Sequence, residues 1–184
     1  MNAKNLLLWA SLAFAMPMTA QTPQEDFKRD ITLSGSNYVA YRGPQKQLTP
    51  APKGYKPFYL SHYGRHGSRF MIGKKAYDVP YFSLLKAKQE GKLTAKGEET
   101  LAKVKMIREE AKGRDGELTP LGALQHQSIT RRMMERFPEI FAGNANIEAR
   151  STLVIRCILS MENGLHQMLR MNPKLHIFHD ASDH

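Results

Sequence analysis

An aromatic and apolar run at residues 58–63 (FYLSHY) ends at Gly64 and passes directly into the basic loop 65–69 (RHGSR). Apolar residues that give way to glycine and polar residues predict a strand that ends in a loop. In open α/β sheets, ligands bind outside the carboxyl ends of the strands, and Gly67 lets the backbone approach a ligand closely. The sequence therefore places a candidate anion site in this loop.

The side chains of the loop suit a phosphoryl group. Arg65 and Arg69 flank His66, and arginine offers a rigid fork of N–H donors that matches phosphate oxygens in pairs. Imidazole can attack phosphorus and carry the phosphoryl group as a covalent intermediate. The alternative interpretation is a solvated basic loop with a surface histidine, and composition by itself favours that alternative.

The composition is that of a globular protein of one domain, with 184 residues of which 41% are hydrophobic. The formal net charge of +10 would help a cleft to capture anionic substrates. Nucleic acid or an anionic membrane surface would suit the same charge, so charge alone does not choose a partner. A single cysteine, Cys157, permits no internal disulfide.

Residues 1–20 have the pattern of a secretory signal peptide. A start containing Lys4 precedes an apolar run at residues 6–15, and Pro17 comes before a plausible cleavage point after Ala20. The apolar run is too short to span a bilayer. We therefore expect an exported protein, periplasmic or extracellular, with no membrane association after the signal peptide is removed.

The rest of the chain divides into a polar wrap at residues 21–54, whose first part looks like a tether, and a domain at residues 55–184. Helices are predicted at residues 78–89 and 94–112, and a third begins at Thr119-Pro120 and ends before Pro138. His126 lies inside this third helix and receives no role. Strands are predicted at residues 146–150 and 175–178. The buried face of the second helix should carry Leu101, Val104, Ile107 and Ala111.

Arg156 lies near the start of a further predicted helix, which Ser151 or Thr152 should cap. Free backbone N–H groups at a helix start, together with an arginine, form a ready anion site. The residues by themselves fit equally well a surface arginine on an amphipathic helix.

Three segments in this order resemble the histidine acid phosphatases, the branch of the histidine phosphatase superfamily that includes phytases and multiple inositol polyphosphate phosphatases. They are RHGSR at residues 65–69, ELTPLG at residues 117–122 and RSTLVIRCILS at residues 150–160, closed by Gly164-Leu165. The resemblance covers roughly residues 55–170. Cys157 and Phe70-Met71 depart from the family pattern without touching the residues that would carry the chemistry.

The resemblance implies an α/β fold, a three-layer sandwich of the histidine phosphatase type, here without its C-terminal part and most of its helical cap. It also implies a phosphomonoesterase in which His66 is the nucleophile and Arg65, Arg69 and Arg156 bind the phosphate. The implied substrates are small anionic phosphoesters, inositol polyphosphates such as phytate first. No metal or cofactor is implied.

In the resembled family, a late histidine with an adjacent acid completes the site. His179 and Asp180 are the candidate pair here, but they follow the Arg156 helix and its strand directly, before a cap can occur. We therefore do not assign them as the proton donor. We expect the chain to be an N-terminal portion of a longer phosphatase, with phosphate binding and at most weak turnover by itself.

Three alternatives remain open at this point. A non-catalytic polyanion-binding protein would use the same arginines without turnover. A phosphoglycerate-mutase-like member of the superfamily is the nearest enzymatic alternative, although the position of Arg69 and the export signal count against it. A nucleic-acid-binding module fits the net charge, but nothing in the sequence resembles a nucleic-acid motif, so we expect no nucleic acid partner.

Overall fold

A computed structural model describes residues 22–44 and 46–182, so the predicted signal peptide lies outside the described residues. The chain divides into two compact units, with the boundary between Ala40 and Tyr41. In the first unit, helix α1 (Pro23–Arg29) begins with a capping box between Thr22 and Glu25, and a 3₁₀ segment follows at Ile31–Tyr38. The predicted polar tether is therefore helical, although α1 buries none of its residues.

The second unit contains four helices and two strands among its described residues. They are α2 (Lys75–Gln89), α3 (Ala95–Glu110), α4 (Pro120–Arg136), β1 (Asn146–Ser151), α5 (Ile155–Met171) and β2 (His176–Ala181). No helix in residues 22–44 or 46–182 has the length and apolar character needed to cross a bilayer.

Helices α2 and α3 form a hairpin. Arg108 of α3 donates from Nε to Asp78 of α2 over 2.6 Å. Helix α2 begins three residues before the predicted position, and Pro80, expected in its first turn, lies inside it. On α3 the predicted face is only partly correct, because Leu101 and Ala111 are buried whereas Ile107 is 54% exposed.

Helices α4 and α5 enclose the main core with the sheet. Thr119 caps α4 and Pro120 opens it, and the helix ends at Arg136 before Pro138, as predicted. The buried cluster consists of Met134, Phe141, Leu165, Met168 and Leu175, with Ile147 of β1 and Ile177 of β2 packed against it. This packing holds α4 and α5 against each other and against the sheet.

Strands β1 and β2 are parallel neighbours, with Ile147 opposite Ile177 and Ser151 opposite Ala181. They confirm the two predicted strands, and α5 connects them as a β-α-β unit. Pairing continues to Ser151, so this residue does not cap α5. Val154 occupies the N-cap without a side-chain hydrogen bond, and the predicted cap is wrong.

The strand predicted at residues 58–63 is also wrong, because no strand occurs there. Leu60 packs against the core, whereas Phe58 is 95% exposed and Tyr63 is fully exposed. A strand is stable only when a neighbour accepts and donates its backbone hydrogen bonds, and the described sheet has two strands that pair with each other. The arrangement is mixed α/β with a small parallel sheet.

Candidate functional site

The basic loop is held against the start of α4. The carbonyl of Ser68 accepts hydrogen bonds from both the N–H and the hydroxyl of Thr119, each over 2.9 Å. The Ser68 N–H donates to Oε1 of Gln125 over 2.8 Å. The Thr119 hydroxyl also caps α4 by accepting from the Gly122 N–H. The residue that starts the helix therefore also fixes the loop.

Gly67 and Gly122 bring the loop backbone and the helix backbone into direct contact. A methyl group on Gly67 would lie 2.6 Å from Cα and 2.7 Å from the carbonyl carbon of Gly122. Real side chains do not tolerate such distances, so only glycine fits at this crossing. The Gly67 N–H donates to the hydroxyl of Ser160 on α5 over 3.0 Å. The loop is thus tied to two helices.

His66 is oriented by its own backbone. Its Nδ1 lies 2.8 Å from the carbonyl oxygen of Gly67. A carbonyl can only accept, so Nδ1 carries the proton and Nε2 of the neutral ring keeps its lone pair. An imidazole nitrogen with a free lone pair is the form that can attack phosphorus.

Arg69 and Arg156 each have a buried donor without a partner. Arg69 pairs with Leu118 in an isolated antiparallel bridge, and its Nη1 donates to the Phe70 carbonyl. Among the described residues, nothing accepts from Nε of Arg69 or from Nε of Arg156. Buried donors without partners are uncommon in folded proteins, and a bound anion or water is a common reason for them.

The Arg156 side chain lies next to Gly116, two residues before Leu118, which pairs with Arg69. It lies in the first turn of α5, and a methyl group on Gly116 would lie 3.3 Å from its Nη1. The Gly116 N–H in turn donates to the Met71 carbonyl. Arg156 therefore lies beside the segment at residues 116–118 that pairs with residues 69–71.

Arg65 is placed differently from the other two predicted arginines. Its side chain is exposed, and none of the described residues forms a hydrogen bond with its guanidinium group. Its carbonyl, however, accepts from Nε2 of His126 over 3.1 Å. The backbone of Arg65 is fixed while its side chain stays available.

His126 is the residue of this site that sequence reasoning missed. The signal was its position on α4, seven residues after the Thr119 cap and four after Gly122, which puts all three on one helix face. Burial lowers the pKa of the His126 ring below its ordinary value of 6.5, the hydrogen bond to Arg65 opposes this shift, and the nearby His62 and His66 rings add to it.

We expect the free energy of unfolding to fall as the pH drops below about 6.5, because the unfolded chain then gains a proton at position 126 that the folded chain resists. Above that pH neither state binds the proton, so the neutral His126 ring makes its full contribution to the free energy of unfolding. Glutamine does not titrate, so the free energy of unfolding of His126→Gln should fall less than that of the wild type between about pH 7.5 and pH 5. Urea unfolding at each pH measures both proteins.

His166→Gln is the matched control for this measurement, because His166 is an exposed histidine on α5. It should keep the pH dependence of the wild type. An equal loss of stability in all three proteins would show that His126 does not contribute to it.

The pair His179 and Asp180 lies on β2. Nδ1 of His179 is 2.6 Å from a carboxylate oxygen of Glu162 on α5, and Asp180 accepts from the Ala181 N–H over 2.7 Å. Both side chains thus have local partners on the sheet and on α5.

No protein-family model matches the sequence, and no curated protein matches it. Among solved structures, the chain is similar to the Bifidobacterium longum multiple inositol polyphosphate phosphatase in its complex with inositol hexasulfate, with 24% sequence identity and a TM-score of 0.53. The match covers 73% of this chain and 29% of that one, so the chain spans less than a third of the solved protein. The likeness concerns the fold and agrees with a mixed α/β arrangement.

Proposed function

We propose that this chain is the nucleophile-bearing portion of an exported phosphomonoesterase that acts on inositol polyphosphates such as phytate through a phosphohistidine. The proposal follows the histidine acid phosphatase resemblance of residues 65–69, 117–122 and 150–160. In it, His66 is the nucleophile, and Arg65, Arg69 and Arg156 bind the phosphoryl oxygens.

The observation that carries the proposal is the pair of buried Nε donors on Arg69 and Arg156 beside the His66 loop. A buried donor without a partner costs about 1–3 kcal/mol, more when it is charged. A phosphoryl group has enough acceptor oxygens to satisfy both guanidinium groups at once. The same arginines would offset the charge that spreads over these oxygens in the transition state.

In the proposed reaction, the lone pair on Nε2 of His66 attacks phosphorus while the bond from phosphorus to the ester oxygen breaks. The proton stays on Nδ1, where it is hydrogen-bonded to the Gly67 carbonyl, so the attacking Nε2 remains unprotonated. Water then attacks the phosphohistidine, the phosphorus–nitrogen bond breaks, and inorganic phosphate leaves. The first step expels an alkoxide, so a proton donor contributes roughly 10²–10⁴ in rate.

We assign no residue of this chain as that donor. His179 contacts Glu162, and Asp180 accepts from its own neighbour's N–H, which supports leaving the pair out of this role. Turnover by the chain alone should accordingly be weak.

Two further observations support an inositol polyphosphate as the substrate. The structurally similar phosphatase carries that substrate class in its name and was solved with the polyanion inositol hexasulfate. The net charge of +10 would raise the local concentration of a highly charged anion.

The experiment that tests the proposal is covalent capture of the phosphoryl group. The protein is mixed with phytate or an aryl phosphate and quenched in base, which preserves phosphohistidine. Mass spectrometry should then place the phosphoryl group on His66. His66→Ala should carry none, whereas His166→Ala should carry as much as the wild type. A label on another residue, or no label at all, would contradict the proposal.

A non-catalytic polyanion-binding protein is the second candidate, because the two buried Nε donors favour an anion whether or not transfer follows. Binding of inorganic phosphate by the wild type without any covalent label would select this candidate.

A further inference from the structure

Each peptide group around His66 is held by a different partner. The Arg65–His66 peptide is held through its carbonyl by His126, and the His66–Gly67 peptide through its N–H by Ser160. The Gly67–Ser68 peptide is held through its N–H by Gln125 and through its carbonyl by His66 itself. The first of these peptides carries the backbone nitrogen of His66, so its tilt sets the position of the His66 ring.

Among the residues that the structure describes, His126 is the hydrogen-bond partner of that first peptide. Its Nε2 donates to the Arg65 carbonyl over 3.1 Å from the second turn of α4. The same helix holds Ser68 through Thr119 and Gln125. Removing the His126 donor would leave the loop attached only on the C-terminal side of His66.

We propose that His126 is a positioning residue: by holding the Arg65 carbonyl from α4, it sets the direction in which the His66 ring presents Nε2 to the phosphoryl group. This inference rests on the proposed role of His66 as nucleophile. His126 does not touch the phosphoryl group and does not offset its negative charge, a task that falls to Arg65, Arg69 and Arg156 in the proposed function.

The chemistry of an imidazole fits this task. A partly buried lysine would hold the same carbonyl but would place a full positive charge beside the rings of His62 and His66, which lie close enough to influence His126. A neutral imidazole protonated on Nε2 donates the hydrogen bond without that charge. Small displacements of a reacting group cost large factors in rate, about 10² for a displacement of 1 Å.

The test separates orientation of the nucleophile from phosphate binding. His126→Phe keeps a ring but removes the donor, and His126→Leu serves if the phenyl ring prevents folding. Either variant should form the phosphohistidine at least about tenfold more slowly, whereas its affinity for inorganic phosphate stays within about twofold. His126→Gln places an amide donor near the Nε2 position and should restore most of the rate. His166→Phe, on the exposed side of α5, should change nothing.

Amide hydrogen exchange provides a second measurement that does not depend on turnover. The N–H groups of Gly67 and Ser68 should exchange about tenfold faster in His126→Phe and return towards the wild-type rate in His126→Gln. If the wild type forms no phosphohistidine, the proposed function fails, and unchanged exchange in His126→Phe would then overturn the anchor as well. Equal transfer rates in the wild type and His126→Phe, or an equal loss in the Phe and Gln variants, would also overturn it.

Discussion

Replacing Gly67 by alanine is expected to cost about 3 kcal/mol or more of folding stability and to displace the His66 loop. The new methyl group would meet three backbone atoms of Gly122, two of them at 2.6 Å and 2.7 Å. Backbone at a capped helix start cannot rotate away as a side chain could, so the loop itself has to move. That movement would break the bond from Gly67 to Ser160 and would shift the carbonyl that orients His66.

Gly73→Ala is the matched control, because Gly73 lies in the same connection before α2 and a methyl group there meets no atom within 4 Å. Urea unfolding and thermal unfolding should place Gly73→Ala close to the wild type and Gly67→Ala well below both. Covalent capture of phosphate should likewise survive only in the control. If the two alanine variants are equally stable, the contact between Gly67 and Gly122 does not exist in the folded protein.

Removing the Arg156 side chain is expected to weaken the binding of inorganic phosphate by roughly 10- to 100-fold, the range for losing a charge-assisted hydrogen bond in a buried site. Arg156 lies in the first turn of α5, and none of the described residues accepts a hydrogen bond from its buried Nε. Arg156→Lys should bind with intermediate affinity, because it keeps the charge and loses the planar fork. Titration calorimetry at fixed ionic strength measures the affinity of the wild type, Arg156→Ala and Arg156→Lys for inorganic phosphate.

Arg170→Ala removes the same charge from the last turn of the same helix. Exposed charges separated by more than about 10 Å are largely screened at moderate salt, so this variant should bind phosphate within about twofold of the wild type. Equal weakening by Arg156→Ala and Arg170→Ala would mean that phosphate responds to net charge and not to a built site.

The local parts of this architecture could be predicted because their causes are local. A threonine hydroxyl and a proline start α4 wherever the rest of the chain lies, and short segments that contain apolar residues predicted β1 and β2. The same reasoning brought Arg156 to the first turn of α5. It failed for residues 58–63, since an apolar run becomes a strand only when a neighbouring strand pairs with it. It also failed for the cap of α5, because β1 extends to Ser151.

The sequence by itself determined the candidate loop, the residue types that suit a phosphoryl group and the helices on either side. Only the tertiary structure decided how the loop is held. Its anchors join residues 57 positions apart for Gln125, 61 for His126 and 93 for Ser160. Such partners are set by the packing of α4 and α5 around a common core, and no local pattern encodes that packing. For the same reason, His126 looked like an ordinary helical histidine until its neighbour across the fold was known.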